Sequence, residues 1–429
     1  MYTSIIAILS GLLLSGLWIG SALALAGCFI LYFYGGGAHA LVSLPVATWN
    51  TLFNFSLTAL PLYIFLGEVF VMSGMAKKSY DALTPLFERL PGKLLLTNVV
   101  ICALLGAILG SSMACAASVA AIAFPELQKR GYNRQALVGN LAGAGTLGSF
   151  VPPSLGLIIY GAWVNISVGE CFMAALIPAL ICAGLFIIWV VLQCKMDPTT
   201  VPPASKEIMP LGKALLMVKG IWPLILLILS ITFIIYFGIA TATEAGGVAA
   251  MLALLASIVL KTFTWKAFYR ALISTASTCG MLTFVIVGAV IFSIAVSVLG
   301  LPRIVVQAMG ESGLSPITIL ILVYILYIIL GCFFDFISMI LMTVPFVYPI
   351  MMNLGYDPFW FGVVLVIVGE MGLLTPPVGM NLYVLKAVSK VSLGEVAKGS
   401  LPYFSMLIVT LILITLFPGL ATWLPSTMR

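Results

Sequence analysis

Two proline pairs interrupt apolar segments of this chain, and they bear the groups most able to do chemistry. The pairs stand in GTLGSFVPPSLG at 145–156 and in GLLTPPVG at 372–379. Proline has no N–H, so each pair removes the helical donors of the carbonyls four residues earlier. Unpaired carbonyls are costly in hydrocarbon and need partners there. The carbonyls predicted to be free are those of Gly148, Ser149, Gly372 and Leu373.

Freed carbonyls can ligate a hard cation. Sodium suits such oxygen donors, and no sulfur or imidazole ligand is arranged beside the prolines for a softer metal. The helix halves that begin near Ser154 and Val378 direct the positive ends of their dipoles to the same region, where they favour an anion. One local architecture could therefore hold both a cation and a carboxylate. The alternative is a structural kink whose carbonyls are satisfied by neighbouring helices.

Four charged residues extend this chemistry. Asp335, in GCFFDFISM, lies in the middle of an apolar run, where it could bind a cation or act electrostatically on a substrate gate; alternatively it caps a helix through backbone amides. Glu370 lies just over one turn before the second proline pair, and is either a coupling or proton-handling group or a residue facing a watery vestibule. Glu68 is expected to contact a partner subunit or to form a structural pair. Arg303 could meet an anion at the periplasmic mouth, although a solvated loop charge is the favoured interpretation.

The composition indicates what kind of element must position these residues. Of the 429 residues, 62% are hydrophobic and 7% are charged, whereas soluble domains carry about 25% charged residues. Repeated apolar runs of about 20 residues fit a hydrocarbon core and predict a polytopic helical membrane protein. The eight cysteines are dispersed and His39 is the only histidine, which argues against disulfides and against metal or haem sites. No nucleotide-binding loop or catalytic triad motif occurs, so we expect no enzyme.

Basic residues predict the topology, because cytoplasmic loops are enriched in Lys and Arg. If five basic clusters lie inside, 17 of the 19 basic residues are cytoplasmic and only Arg303 and Arg429 remain outside. The N-terminus is then cytoplasmic and the C-terminus periplasmic. The run 94–128 lies between two basic clusters and is too short for two full spans of about 20 residues each plus a turn. It is therefore predicted to be a re-entrant hairpin turning at Gly110–Ser112, and the run 316–352 a second hairpin entering from the opposite side.

Aligning the two proline pairs, Pro152 with Pro376 and Pro153 with Pro377, reveals an internal repeat. We call this alignment the repeat register. It runs without a gap from 131 to 153, and its identities are mainly glycines and prolines. The other identical pairs are Gly131/Gly355, Tyr132/Tyr356, Leu141/Leu365, Gly145/Gly369 and Gly148/Gly372. With the opposite orientations that the charges predict, this is the inverted-repeat architecture of secondary transporters, whose substrate and ion sites lie near the bilayer midplane.

These observations predict an all-α polytopic membrane protein of inverted-topology repeats, with two re-entrant helical hairpins and two broken helices. The predicted divisions are N-terminal scaffold helices at 1–93, a first repeat at 94–194, a cytoplasmic linker at 195–219, further scaffold helices at 220–300 and a second repeat at 301–429. Within the repeats, hairpins are expected at 94–128 and 316–352 and broken helices at 134–165 and 357–389, each followed by one further helix.

Three stretches of the sequence resemble one known family. They are GAGTLGSFVPPSLGLIIYG, GCFFDFISMILMTVPFVYPI and GYDPFWFGVVLVIVGEMGLLTPPVGMNLYVLK. Over essentially its whole length the chain resembles the large membrane (M) subunit of TRAP (tripartite ATP-independent periplasmic) transporters. The resemblance implies a bacterial inner-membrane secondary transporter of elevator type, similar in fold to the ion transporter superfamily, that uses a sodium gradient to import organic acids. It also implies two partners, a small four-helix membrane subunit and a periplasmic substrate-binding protein.

The resemblance further implies which residues bind the coupling ion, since the family's sodium ligands lie at the hairpin tips and the facing helix breaks. In the first repeat these positions are Ser111, Ser112, Gly145, Gly148 and Pro152. In the second repeat they are Asp335, Ser338, Gly369, Gly372, Thr375 and Pro376. The candidates for binding the substrate are Ser154, Asn381 and Arg303.

Two positions depart from the family pattern. Gly156 stands where many members have a proline. The stretch AVSVLGLP before Arg303 is uncharged, whereas the sialic-acid branch is expected to carry an arginine there, which argues against sialic acid as the substrate. Two other functions stay open: a self-sufficient sodium- or proton-coupled anion symporter of elevator type, and a channel or polytopic membrane enzyme. An enzyme would need a cluster of titratable or metal-binding residues, and the sequence offers none.

Overall fold

The computed structural model describes residues 8–13, 15–203, 209–300, 304, 307 and 313–428. All regular secondary structure in this part of the chain is helical. Among the predicted site residues, Arg303 lies outside the described residues. Eight of the described helical segments are long and apolar enough to cross a membrane, as the composition predicts.

The first half of the chain contains ten α-helices with bounds given by the structure. They are Ile19–Tyr34, Ala38–Leu41, Leu44–Leu52, Ala59–Met72, Met75–Phe87, Leu94–Leu109, Ser112–Lys129, Arg134–Phe150, Leu155–Val164 and Val168–Met196. Those described in the second half are Leu211–Val218, Trp222–Tyr236, Ala242–Val259, Trp265–Val298, Pro316–Gly331, Phe336–Asn353, Pro358–Leu373, Met380–Ser389, Leu393–Leu416 and Gly419–Ser426. Short 3₁₀ turns lie at Phe55–Thr58, Pro198–Thr200 and Lys219–Ile221.

Both predicted hairpins are present and have the same dimensions. Hairpin 1 consists of Leu94–Leu109 and Ser112–Lys129, and hairpin 2 of Pro316–Gly331 and Phe336–Asn353; each has a helix of 16 residues followed by one of 18 residues. A helix of 16 residues is about 24 Å long at its ordinary rise, which is shorter than the hydrocarbon core. A chain that turns after this distance can therefore turn inside the membrane.

Both broken helices are present as well. Broken helix 1 consists of Arg134–Phe150 and Leu155–Val164, and broken helix 2 of Pro358–Leu373 and Met380–Ser389. The bond between the two prolines is cis in both copies. The second half of broken helix 2 begins after Gly379, which has a positive φ, and so starts later than the expected position near Val378. The predicted fold class, an all-α membrane protein with paired hairpins and broken helices, is confirmed.

Small residues let the helices of the two repeats approach closely. Helix Leu393–Leu416 crosses broken helix 1 where a Cβ atom at Gly139 would lie only 2.1 Å from the carbonyl oxygen of Gly399. One turn further on, Gly143 lies against the ring of Tyr403. Contacts through small residues suit membrane packing, where burial of apolar surface does not drive helices together. We call core body the hairpins, the broken helices and the helices Val168–Met196 and Leu393–Leu416.

A second group of helices packs mainly on itself. Ile19–Tyr34 runs along Trp265–Val298, and a Cβ atom at Gly288 would lie 2.2 Å from the carbonyl oxygen of Gly20. Ala59–Met72 packs against the same long helix. We call scaffold body the helices Ile19–Tyr34, Ala59–Met72, Ala242–Val259 and Trp265–Val298.

The predicted linker at 195–219 is partly helical. Its segment Leu211–Val218 packs on helix Met75–Phe87, and the Lys93 ammonium, at the base of hairpin 1, donates a hydrogen bond to the carbonyl of Pro202. The linker is thus held against helix Met75–Phe87 and the base of hairpin 1.

Candidate functional site

The first proline break leaves carbonyls without helical donors, as the sequence predicts. Val151 is the last residue before the prolines with an N–H, and it donates to the carbonyl of Leu147 at 2.9 Å. The next two donor positions are occupied by Pro152 and Pro153, which have no N–H. The carbonyls of Gly148 and Ser149 therefore end the helix without an i+4 partner.

The second break closes differently, and one prediction about it is wrong. The N–H of Thr375 donates to the carbonyl of Gly372 at 2.9 Å, and the N–H of Leu374 donates to that of Met371 at 3.2 Å. These i+3 bonds tighten the last turn, a common way to satisfy the carbonyls at a helix end. The Gly372 carbonyl is thus already engaged, although its second lone pair can still accept. Leu373 keeps the carbonyl without a helical donor.

Each hairpin tip is hydrogen-bonded to the start of the second half of the facing broken helix. The N–H of Leu155 donates to the carbonyl of Gly110 at 3.1 Å, and the N–H of Gly379 donates to the carbonyl of Cys332 at 3.0 Å. Leu155 and Gly379 are equivalent when the repeat register is extended to them. One N–H at each of these two positions is therefore occupied by the hairpin tip, and fewer donors are left to face an anion there.

Glycines at the first break bring predicted ligands together. A Cβ atom at Gly148 would lie 2.8 Å from the carbonyl oxygen of Ser111 and 2.5 Å from Cβ of Cys115. A Cβ atom at Gly145 would lie 2.6 Å from Cβ of Ala116. Only a glycine allows the hairpin backbone to come so close. The structure thus places the carbonyl of Ser111 beside the break, as the first predicted site requires.

The second break is approached by hairpin 2 in the same way. A Cβ atom at Gly372 would lie 2.6 Å from Cα of Gly331. A Cβ atom at Gly369 would lie 2.5 Å from the ring of Phe336, and one at Gly156 would lie 2.1 Å from the same ring. Phe336 therefore fills the space between the two repeats, which explains why position 156 is a glycine in this chain.

Asp335 and Ser338 lie together at the tip of hairpin 2. One Asp335 carboxylate oxygen, Oδ2, accepts hydrogen bonds from the N–H groups of Ile337 and Ser338, each at 3.1 Å. The hydroxyl of Ser338 donates to the other oxygen, Oδ1. Asp335 is thus the helix cap that the sequence left open as an alternative. Ser111 is the equivalent cap in hairpin 1, where it accepts from the N–H of Ala114 at 3.5 Å.

A polar cluster that the sequence did not predict joins the two repeats. Glu370 and Asn381 come from broken helix 2, Ser112 from hairpin 1 and Ser149 from broken helix 1, and none is more than 4% exposed. The N–H of Ser112 donates to Oγ of Ser149 at 2.8 Å, and Nδ2 of Asn381 lies 3.5 Å from Oε2 of Glu370. The hydroxyls of both serines lie near the same carboxyl group. The alternative that Glu370 faces a watery vestibule is therefore wrong.

The sequence held one signal for this cluster. In the repeat register, Glu370 corresponds to Thr146 and Ser149 to Leu373. Positions that differ in polarity between two otherwise matching copies point to a role that only one copy has. Such a signal marks the positions but not their neighbours, which come from other helices.

Three further residues that the sequence singled out differ in their burial and hydrogen bonding. Ser154 is fully buried, and its hydroxyl has no hydrogen-bond partner. Thr375 is half-buried and donates to the carbonyl of Met371 at 2.7 Å. Glu68 accepts a hydrogen bond from the hydroxyl of Ser274 at 2.8 Å, so it forms the structural pair that was one of its two interpretations.

The fold and the paired breaks define a class of protein, a multi-pass helical membrane transport protein built on a repeat. In agreement, the chain has the fold of a solved structure titled "Crystal structure of the Alcanivorax borkumensis YdaH transporter reveals an unusual topology". The TM-score is 0.58 with 14% sequence identity, and the likeness covers 91% of this chain and 89% of the other.

Residues 6–420 match the family described as "Tripartite ATP-independent periplasmic transporter, DctM component". The chain is 31% identical to the C4-dicarboxylate TRAP transporter large permease protein DctM of Pseudomonas aeruginosa, over 94% of each chain. It is 29% identical to the protein of the same name from Vibrio cholerae, over 97% of this chain and 95% of the relative. The chain therefore belongs to this family, as a large permease subunit of a TRAP transporter and a multi-pass protein of the inner membrane. The resemblance found in the sequence is confirmed.

Proposed function

We propose that this permease uses a sodium gradient to import an organic acid by an elevator motion, together with a small membrane subunit and a periplasmic substrate-binding protein. The observation that carries the proposal is the pairing of a hairpin tip with a helix break, made once in each repeat by equivalent donor positions of the broken helices. Each pairing brings backbone and hydroxyl oxygens to a place where proline has removed helical donors.

Sodium is the ion that we propose for the oxygen atoms at the two breaks. In the first site the proposed donors are the carbonyls of Ser111, Gly145 and Gly148, next to Ser112 and Pro152. In the second site they come from Asp335, Ser338, Gly369, Gly372 and Thr375, next to Pro376. Within the described ranges no group of three or more His, Cys, Asp or Glu residues comes together, which favours a hard monovalent ion held by oxygens over a transition metal.

An elevator motion is supported by the division into two bodies. The core body is packed within itself through glycines, whereas its boundary with the scaffold body includes a cavity of about 350 Å³ lined partly by polar side chains. These are Asn50, Thr51, Asn54, Asn165 and Ser293. Asn54, in the segment that leads into the scaffold helix Ala59–Met72, also donates through Nδ2 to the carbonyl of Ala162 in broken helix 1 at 3.2 Å. A polar cavity of this size can hold water that bridges the polar groups on its two sides.

The proposed substrate is a carboxylate, such as the C4-dicarboxylates for which the two DctM relatives are named. In this proposal Ser154 and Asn381 offer uncharged donors near the breaks, and Arg303 contributes the charge. The division of the chain into scaffold helices, repeats and linker is part of the same proposal, as is an N-terminus in the cytoplasm with the C-terminus outside.

The test is transport in proteoliposomes that contain this chain with its small membrane subunit, with the binding protein added outside. We expect uptake of radiolabelled C4-dicarboxylate that rises with an inward sodium gradient and ceases when potassium replaces sodium. Equal uptake in sodium-free buffer would overturn sodium coupling. Uptake by this chain alone, without the other two proteins, would instead support a self-sufficient symporter.

A further inference from the structure

The buried cluster at the junction of the repeats contains a carboxyl group without a basic partner. Glu370 has no solvent exposure, and neither of the salt bridges found among the described residues involves it. Its Oε1 has no hydrogen-bond partner, and the same is true of Oδ1 of Asn381, which is also fully buried. Two oxygen atoms of neighbouring side chains are therefore left unsatisfied in the interior of a membrane protein.

Such an arrangement is unfavourable unless something else binds there. An ionised carboxylate buried without a partner is strongly unfavourable, and each unsatisfied polar atom adds to that cost. Its polar neighbours in the described part of the chain are one carboxamide and the hydroxyls of Ser112 and Ser149, none of which is basic. All of them can present oxygen lone pairs. A half-turn of the Asn381 carboxamide would exchange its nitrogen and oxygen and direct Oδ1 to the carboxylate side.

From this geometry we propose a third monovalent-cation site, with Glu370, Asn381, Ser112 and Ser149 as its ligands and sodium as its ion. The proposal rests on the proposed sodium-driven function. It adds an ion site with a negatively charged ligand to the two sites at the breaks. One carboxylate and one monovalent cation give a neutral pair, which a low-dielectric interior tolerates better than the residual charge that a divalent ion would leave.

The position of this site gives it a second consequence. Ser112 belongs to the tip of hairpin 1 and its N–H is bonded to Ser149 at the first break, at 2.8 Å, whereas Glu370 and Asn381 belong to the second repeat. A cation held by all four residues therefore ties hairpin 1 to broken helix 2. Binding at this site stabilises the first break, so sodium binding at the two places is expected to be cooperative.

The experiment measures sodium and substrate fluxes together in proteoliposomes of the complete transporter, using ²²Na and labelled C4-dicarboxylate. Glu370→Gln keeps the shape of the side chain but removes its charge. We expect this variant to carry one sodium ion fewer per substrate, with a shallower dependence of uptake on sodium concentration. The matched control is Glu68→Gln, a membrane carboxylate of the scaffold body bonded to Ser274, which should keep the wild-type ratio and steepness.

A second variant keeps the proposal testable if Glu370→Gln fails to assemble. Ser149→Ala removes one neutral oxygen and should raise the sodium concentration for half-maximal uptake by about tenfold, the size expected for a ligand-shell residue. An unchanged sodium ratio in Glu370→Gln, or an unchanged sodium dependence in Ser149→Ala, would overturn the third site. A wild-type transporter without any sodium dependence would instead overturn the proposed function itself, so the two failures are distinguishable.

Discussion

The two helix breaks share a sequence pattern but differ in their surroundings. Pro152 and Pro153 are buried, as is Ser154 after them, whereas Pro376 and Pro377 are exposed. The tips also differ, since hairpin 1 turns over two residues and hairpin 2 over four. The proline pair is thus buried in the first repeat and exposed in the second. Under the proposed function, this difference favours exchange of the ion at the second proposed site before the first.

The comparison extends to equivalent side chains. Ser111 and Asp335 are both helix caps, so a neutral cap in one repeat is an anionic one in the other. Thr146 donates to a carbonyl of its own helix, that of Gly143, at 2.7 Å, whereas its equivalent Glu370 has an unpaired oxygen. An internal repeat therefore conserves the framework of a site while the charges are placed in one copy only. Both of these carboxylates, Asp335 and Glu370, belong to the second repeat.

The largest effect is expected from filling the close contact at the first break. Gly148→Ala would place a methyl group 2.5 Å from Cβ of Cys115 and 2.8 Å from the carbonyl oxygen of Ser111. Overpacking of this kind costs about 1–3 kcal/mol, and it must push the hairpin tip away from the break. We expect uptake to fall by about tenfold or more, since ion ligands tolerate displacements of only about 0.5 Å.

Gly184→Ala is the matched control, because a Cβ atom there meets nothing within 4 Å. It should transport at the wild-type rate. If both alanine variants transported equally well, the close packing of tip and break would not matter for transport.

The next effect concerns the anionic cap of hairpin 2. Asp335→Ala removes both the cap and the charge, and we expect it to weaken sodium-dependent uptake far more than Glu68→Ala. Loss of the cap alone costs about 1 kcal/mol. Asp335→Asn retains an oxygen that can accept the N–H bonds of Ile337 and Ser338, and so separates the two roles. Sodium titrations of uptake are the measurement, and equal, mild effects of Asp335→Ala and Glu68→Ala would contradict the assignment of Asp335 to the ion site.

A smaller but direct effect is a difference in chemical access between the two breaks. Single cysteines at the equivalent positions Ser154 and Val378, in a variant lacking the eight native cysteines, should react with a water-soluble thiol reagent at different rates. Ser154 is fully buried and Val378 is half-buried, so we expect Val378→Cys to react about tenfold faster or more. Faster labelling at Ser154→Cys would reverse the proposed order of access.

The smallest effect is expected from the charged contacts beyond hairpin 1. Arg130 contacts Glu88 and Glu126, whereas its equivalent in the second repeat is Leu354. Arg130 is 40% exposed at its side chain, and exposed ion pairs contribute only about 0–1 kcal/mol. Arg130→Gln should therefore change uptake by less than about twofold and shift thermal stability slightly. A loss comparable with that of Gly148→Ala would show that this contact has a part in transport.

Much of the framework could be predicted because its signals are local. The turn at Gly110–Ser112, the helix ends at the proline pairs and the cap at Asp335, which was one of its two interpretations, each follow from residues within one turn of the feature. Proline removes a donor wherever it stands, and a glycine in register with another glycine marks either a close approach, as at Gly148 and Gly372, or a turn with positive φ, as at Gly131 and Gly355. The family resemblance rests on the same stretches, and it too is confirmed.

The errors arose where the nearby residues allow more than one pattern of backbone hydrogen bonds. The Gly372 carbonyl was predicted to be free, but the chain closes an i+3 turn with Thr375. Both solutions satisfy the absence of donors at Pro376 and Pro377, and the residues nearby do not distinguish them. The predicted ion ligands themselves stay a prediction, although the structure brings Ser111 to Gly148 and Ser338 to Asp335.

The sequence by itself determined that this is a helical membrane transporter with two hairpins and two broken helices, because hydropathy, proline chemistry and an internal repeat are properties of the chain alone. Only the tertiary structure decided that Glu370 lies beside Ser112 and Ser149 and that one break is buried while the other is exposed. Those facts depend on helices from opposite repeats meeting at one point. Contacts between residues so far apart in the sequence are set by the packing of the whole fold.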